Sequence, residues 1–535
     1  MTDRIPFDRH RRGFARALAA GAALLPLGLA GPMSAWAAGP ARGPEVLRIV
    51  GPWEIVGLDP SRAGYLFSRM EIVETLFEAD DDGAPRPGLV RAWTVSEDGR
   101  SWTLQLRPGA RFHDDTAVTA DAVVLALNHA LAKPGVLGLA PVERVAAEDG
   151  AVVVHLREPF APLAAVLAHS STQILAPASY AADGTVSRII GSGPYRITAL
   201  QPPQRFEVER FAGWDGTPPA IARVSYLAVG RSETRALMAE SGEADLVFGL
   251  DPASFQRLGR SRSVSVASVL IPRTIYLKLN AGHPWLGDPR AREAISLALS
   301  RNGIARAVLR DPELAAGQLL PPTLAAWHDP VLGSLEADVS RARALLGELG
   351  WQAGADGMLQ RPAEEGGAPF ALRLLTFPDR PELPTVAAAI QDQLRQIGIA
   401  VAVAVGNSSE VPAGHRDGTL EMALGARNYA LVPDPLVTLL QDFGPEGGDW
   451  GAMGWSHPEF TDTLNALARV SGAGDDERGA ATLRRRLTSI LQRELPLIPV
   501  AWYRLSVAVS PRLSAVSVDP LERSYRVGQM GWAAP

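Results

Sequence analysis

Cysteine is absent from all 535 residues. That excludes disulfides, thiolate metal sites and a cysteine nucleophile, and also lipid attachment at an N-terminal cysteine. Lysine is nearly absent as well: Lys133 and Lys278 are the only two, and arginine carries almost all the positive charge. There is no basic excess. The formal net charge is -6, so neither nucleic acid nor an anionic membrane is an expected partner. Catalytic signatures are missing too, with no G-x-S-x-G elbow, no Walker A loop and no G-x-G-x-x-G after a strand. Gly191-Ser192-Gly193-Pro194 is glycine-rich, but its proline removes an amide donor that a phosphate cradle needs. The histidines after the N-terminal segment (His113, His129, His155, His169, His283, His328, His415, His457) form no H-x-H or H-E-x-x-H pair. Asp80-Asp81-Asp82-Gly83 lacks the ligand spacing of a calcium loop and reads as a solvated turn. Neither a resident cofactor nor a directly bound metal is expected, although a metal inside an organic chelate stays open as cargo.

What is present begins with an address. Arg4, Arg9, Arg11, Arg12 and Arg16 precede an Ala/Leu/Gly-rich run from Ala17 to Ala30, which closes on Ala35-Trp36-Ala37. That is the three-part layout of a secretory signal over residues 1–37, too short and too interrupted to remain as a spanning helix. Arg11-Arg12-Gly13-Phe14 suits a twin-arginine route, with the general secretory route as the alternative. Cleavage after Ala37 removes five arginines and two aspartates and takes the net charge to about -9. The expected product is periplasmic, soluble and free of lipid.

The rest is long enough, and at 47% hydrophobic apolar enough, for two to four domain-sized units. Glu45–Val50, Val152–Leu156, Phe206–Arg210 and Val224–Leu227 read as strands, and Tyr65–Phe77 has helical spacing. Ser96-Glu97-Asp98-Gly99 between Trp93–Val95 and Ser101–Leu106 signals a hairpin, and Thr119 an N-cap for a helix over Ala120–Leu131. From about Arg290 helices (290–299, 339–349, 384–397, 461–470) alternate with strands (372–377, 400–405), which predicts an α/β lobe. A second lobe inserted into the first requires two crossings, placed near 269–280 and 499–504. The expected division is 38–270 for lobe I with an extra subdomain, 271–500 for lobe II, and 501–535 for the return to lobe I.

A series of phrases runs in order along the chain. Pro87-Gly88-Leu89-Val90-Arg91-Ala92-Trp93 is followed by Ser96-Glu97-Asp98-Gly99-Arg100-Ser101-Trp102, Leu106-Arg107-Pro108-Gly109-Ala110-Arg111-Phe112-His113-Asp114 and Thr119-Ala120-Asp121-Ala122-Val123. Gly191-Ser192-Gly193-Pro194-Tyr195, Leu277-Lys278-Leu279-Asn280, Asp288-Pro289-Arg290-Ala291-Arg292-Glu293-Ala294-Ile295 and Pro496-Leu497-Ile498-Pro499-Val500 come later. Together they resemble the peptide/nickel family of extracytoplasmic solute-binding proteins (family 5). The resemblance implies a two-lobed periplasmic binding protein fold (type II, cluster C-like), with mixed sheets flanked by helices and lobes joined by two crossings. It also implies a monomer without catalytic residues that closes on a small-molecule ligand and delivers it to an ABC permease and its ATPase. A periplasmic chaperone or sensor partner on the same fold, or a secreted hydrolase, is the alternative.

Peptide-binding members usually place an amine-binding aspartate just before a downstream Asp-Pro. Here Asp434-Pro435 is kept, but Leu431 or a neighbour replaces that acid. Nickel-binding members tend to carry an arginine where Gln173 precedes Ile174-Leu175-Ala176-Pro177. Arg427 is the candidate replacement anchor for a carboxylate, or else a salt bridge within the second lobe. Asn428, Tyr429, Trp450 and Trp455 complete that candidate patch, and Tyr65, Arg69 and Gln173 are the first-lobe candidates. Expected ligands are anionic and amine-bearing: a metal chelate, an opine-like compound or a modified short peptide.

Overall fold

The computed structural model describes residues 45–534 apart from 445–446 and 471–474, so the expected signal segment lies outside the described residues. Residues 45–535 form one compact unit. Its backbone is a ten-stranded mixed sheet in the order 400–405, 371–376, 422–428, 265–279, 497–509, 246–248, 46–51, 223–228, 205–210, 195–201. The two long central strands, Ser265–Leu279 and Leu497–Val509, run antiparallel and belong to both halves of the sheet. Val507–Val509 at the end of the second pairs with Leu246–Phe248, and Arg273–Leu279 of the first pairs with Met422–Asn428. The register between them slips between Ile271 and Thr274, at the position of Pro272. Proline has no N–H for the ladder, so pairing breaks there and Arg273 is carried at the break.

Three large cores flank this frame. Leu47, Phe67, Phe206, Tyr226 and Val507 fill the first-lobe core, and Ile275, Leu299, Leu374, Ile390 and Ile498 fill the second. The third starts in a separate four-stranded sheet, in the order 90–95, 101–106, 151–156, 142–148, covered by the helix Ala120–Leu131. It continues through Tyr429, Leu436 and Phe460 to Leu487, so the small sheet and the helices Pro435–Phe443, Pro458–Ala468 and Asp475–Glu494 share one apolar interior. Burial on this scale, at roughly 25 cal/mol per Å² of apolar surface, is the main force holding these layers together.

The expected hairpin is present, with Val95 opposite Trp102 and Gly99 at φ 68°. Trp102 is buried, whereas Trp93 is half-exposed and meets Phe77 edge-on at 5.0 Å. The helix expected over Tyr65–Phe77 is instead Pro60–Arg69, N-capped by Asp59, and Phe77 already lies in a strand. The apolar residues Leu66, Met70, Val73 and Phe77 are all buried, but Glu71 turns the chain at φ 55°. The turn packs against Gly191 and Gly193, where an added Cβ would stand 2.1 Å and 2.2 Å from the carbonyl oxygens of Ile72 and Glu71. No periodicity in the helix itself could reveal that distant contact.

Candidate functional site

A cavity of about 1060 Å³ opens between the helix Pro60–Arg69, the turn that follows it, the crossing residue Arg273, Arg380 and the C-terminal segment 519–529. Tyr65 and Arg69, four residues apart on one helix face, both line it. Gly64 lets that helix lie against the Ser170 carbonyl, which an added Cβ would meet at 2.3 Å.

Two guanidinium groups, Arg69 and Arg273, meet the Glu522 carboxylate, and a third, Arg380, lines the same cavity. Arg69 donates through Nε to the backbone carbonyl of Glu522 at 2.9 Å and lies over the Trp53 ring at 4.2 Å. Arg273 pairs with the Glu522 carboxylate through Nη2, and Asn428 donates to the same oxygen at 2.9 Å. Arg273 and Arg380 lie over the Tyr503 ring at 5.1 Å and 5.3 Å. Arg380 has no ion-pair partner among the described residues. Arg69 Nη1, Arg273 Nε and Glu522 Oε1 are buried without a hydrogen bond. Burial lowers the Arg273 pKa to about 10, while Glu522, although burial opposes it, is held below the ordinary carboxylate range by Arg273 and Arg69. Positive charge therefore exceeds what Glu522 neutralises, and unused donors remain. Buried donors of this kind call for an anionic acceptor.

Carboxylates line the cavity as well, among them Glu71, Glu74 and Glu78. Glu71 accepts from Ser524 Oγ and from the Gly528 amide, each at 2.8 Å. Glu74 pairs with Arg107 at 3.1 Å, yet burial outweighs that partner and raises its pKa from 4.5 to about 7. The native state therefore holds a proton that the unfolded chain has already released between about pH 5 and 7, and stability contributed by Glu74 falls as pH rises through that window. The melting temperature of the wild type is expected to drop over this range with a slope that Glu74→Gln flattens; equal slopes would show that Glu74 is not the titrating group.

The candidates read from the sequence are dispersed. Gln173 sits behind the cavity wall, its amide donating to Gly64 O at 2.9 Å and Ser68 Oγ at 2.6 Å. Asn428 reaches the cavity's rear through Glu522. Arg427 does not line the cavity: its fork grips Asp442 with two contacts of 2.8 Å and adds Gln441 at 2.8 Å, the internal salt bridge that was the alternative reading. Tyr429 is wholly buried in the shared core, and Trp455 packs there against Phe443 and Phe460. Trp450 packs edge-on to Phe377 at 5.7 Å and accepts the Tyr276 hydroxyl on its carbonyl at 2.6 Å. Leu431 does line the cavity. Arg273, Arg380 and Glu522 were not foreseen. Arg273 left a signal, the one charge beside proline in the largely apolar run 269–277, whereas Arg380 and Glu522 lie in loops without one.

The model of the bacterial extracellular solute-binding proteins, family 5 middle, matches residues 84–450. The glutathione-binding protein GsiB of Salmonella typhi is 24% identical over 522 residues, covering 93% of this chain and 96% of that one. The nickel-binding periplasmic protein of Escherichia coli strain K12 is 24% identical over 497 residues, covering 90% and 93%. Among solved structures, NikA from Brucella suis in complex with Fe(III)-EDTA superposes with a TM-score of 0.81 at 22% identity, covering 91% of this chain and 100% of that one. The two-lobed architecture with its two crossing strands is thus that of known binding proteins, and the chain belongs to the family 5 bacterial extracellular solute-binding proteins.

Proposed function

We propose that this protein is the periplasmic solute-binding component of an ABC importer, and that its ligand is a small anionic compound that also carries an amine. The lobes divide at 270/271 and 500/501, and the lipid-free mature chain delivers its ligand to a membrane permease driven by an ATPase. One observation carries the ligand reading: three arginines line a cavity of about 1060 Å³ that holds one carboxylate paired to two of them, with Arg69 Nη1 and Arg273 Nε left without acceptors. A ligand carboxylate completes those donors, and Glu74 and Glu78 in the same cavity suit its ammonium group. Tyr65 and Trp53 supply ring faces beside Arg69. The named ligands of the relatives, glutathione and a metal–polycarboxylate chelate, share the carboxylate chemistry. Opine-like compounds and modified short peptides belong to the same class.

Closure follows from differential affinity, since contacts to Arg69 on one lobe and Arg380 on the other are made together only when the lobes are shut. Thermal-shift screening of the mature chain tests the proposal. Ligand at a hundred times its Kd adds about 2.7 kcal/mol of stability. Glutathione, opines and metal–polycarboxylate chelates are the probes, each beside its carboxamide analogue. Stabilisation by carboxylates that their amides fail to reproduce is the expected result. Stabilisation by the amides alone, or by no carboxylate, overturns it.

A further inference from the structure

A second cavity, of about 340 Å³, lies against the crossing strands on the side away from the arginine cluster. Side chains alternate along Leu497–Val509, so Trp502, Arg504 and Ser506 point to the face opposite Tyr503. Tyr503 contacts Arg273 and Arg380 of the main cavity, whereas Trp502, Arg504 and Ser506 line the second one. Tyr503 and Glu382 belong to its wall as well, and so stand between the two sites.

The chamber is mostly apolar. Leu250 and Phe255 come from the stretch before the first crossing strand, Leu309 and Leu314 from the stretch after it, and Trp502 from the second crossing. Its surface charges are already satisfied. Arg504 holds Asp311 at 2.8 Å, and Arg310 donates to Gln256 at 3.1 Å across the two stretches. Glu382 is different: Arg380 and Arg273 attract its carboxylate without forming an ion pair, it is 7% exposed, and its Oε1 has no hydrogen-bond partner. A buried carboxylate oxygen without a donor is costly, and a ligand that brings an N–H removes the cost. The volume falls at the lower end of small-molecule sites, of order 300–1,000 Å³.

We propose that this hinge-side cavity is a second ligand site, for a small amphipathic amine, and that its occupancy is coupled to closure of the main cleft. The apolar walls take the ligand's body and Glu382 takes its ammonium group. Because the walls come from segments on both sides of the first crossing, the site exists in full in only one disposition of the lobes. A ligand that needs both walls favours that disposition, and by linkage each site changes the other's affinity by the same factor. The proposal does not depend on the identity of the main ligand.

Calorimetry on the mature chain with phenethylamine, and with 3-phenylpropionate as the acidic control, tests the site. Phenethylamine is expected to bind saturably at one site and 3-phenylpropionate not at all. Glu382→Gln weakens phenethylamine tenfold or more, and so does Ser268→Phe, which fills the cavity from an exposed rim position. Arg69→Met, in the main cavity, changes it less than twofold. Absence of saturable binding, or binding lost in Arg69→Met and kept in Ser268→Phe, overturns the site. Small-angle scattering then reads the coupling: phenethylamine decreases the radius of gyration of the ligand-free protein, and an unchanged radius overturns that half of the proposal.

Discussion

Arg380→Ala is expected to weaken ligand binding by roughly thirty-fold to several-thousand-fold while leaving the melting temperature of the ligand-free protein within a few degrees. Losing one member of a buried, hydrogen-bonded charge pair costs about 2–5 kcal/mol, and each 1.4 kcal/mol is tenfold in affinity. The two halves of the prediction have one origin. Among the described residues Arg380 has no ion-pair partner; its neighbours are the Tyr503 ring and the more distant carboxylates of Glu522 and Glu382. Removing it therefore breaks no ion pair in the empty protein, whereas in the complex it strands the ligand's carboxylate. Arg380→Lys is expected to recover only part of the affinity, because an ammonium group cannot reproduce a bidentate fork. Titration calorimetry with whichever carboxylate stabilises the wild type supplies the measurement. Affinity within threefold of wild type in Arg380→Ala removes Arg380 from the site.

Much of the frame is legible in the sequence because it is local. The short β-rich runs Val152–Leu156 and Phe206–Arg210 mark strands, and Thr119 ahead of an apolar period marks the helix Ala120–Leu131, whose first turn it caps. The overrun of the first helix has the opposite character. Its stop at Met70 depends on Glu71 in a left-handed conformation against glycines some 120 residues away in the chain, and no local period encodes that.

The site divides in the same way. Tyr65 and Arg69 are readable together because helix geometry puts i and i+4 on one face. Arg427 and Asp442 are both plain in the sequence, yet they meet only because the strand Met422–Asn428 and the helix Pro435–Phe443 return side by side. That meeting turns a candidate anchor into an internal pair. Arg380 and Glu522 occupy loops from different parts of the chain, and only closure of the fold brings them near Arg273. The proposed site thus rests on long-range charge placement laid over a legible scaffold.

Glu522→Ala is expected to destabilise the ligand-free protein by about 3–5 kcal/mol, the cost of leaving buried charge without its partner. Arg69 and Arg273 are 6% and 5% exposed, and the Glu522 carboxylate is the anion beside both. Asn428 loses its acceptor in the same step. Glu522 itself is held in an uncommon backbone conformation at φ 60°, so the surrounding contacts, and not local preference, keep it in place. The pH response carries a definite sign. Its folded pKa is depressed below 4.5, so its stabilisation is present above that value and is lost as pH falls through the folded one. The wild type therefore loses stability in acid through this group, and Glu522→Ala and Glu522→Gln do not. Anions provide the most specific readout: with Glu522 gone, millimolar acetate or a cleft carboxylate takes its place between the guanidinium groups, and the melting temperature of Glu522→Ala rises more than that of the wild type. If the variant melts at the wild-type temperature and carboxylates stabilise both proteins equally, Glu522 is not the charge that holds the arginine cluster together.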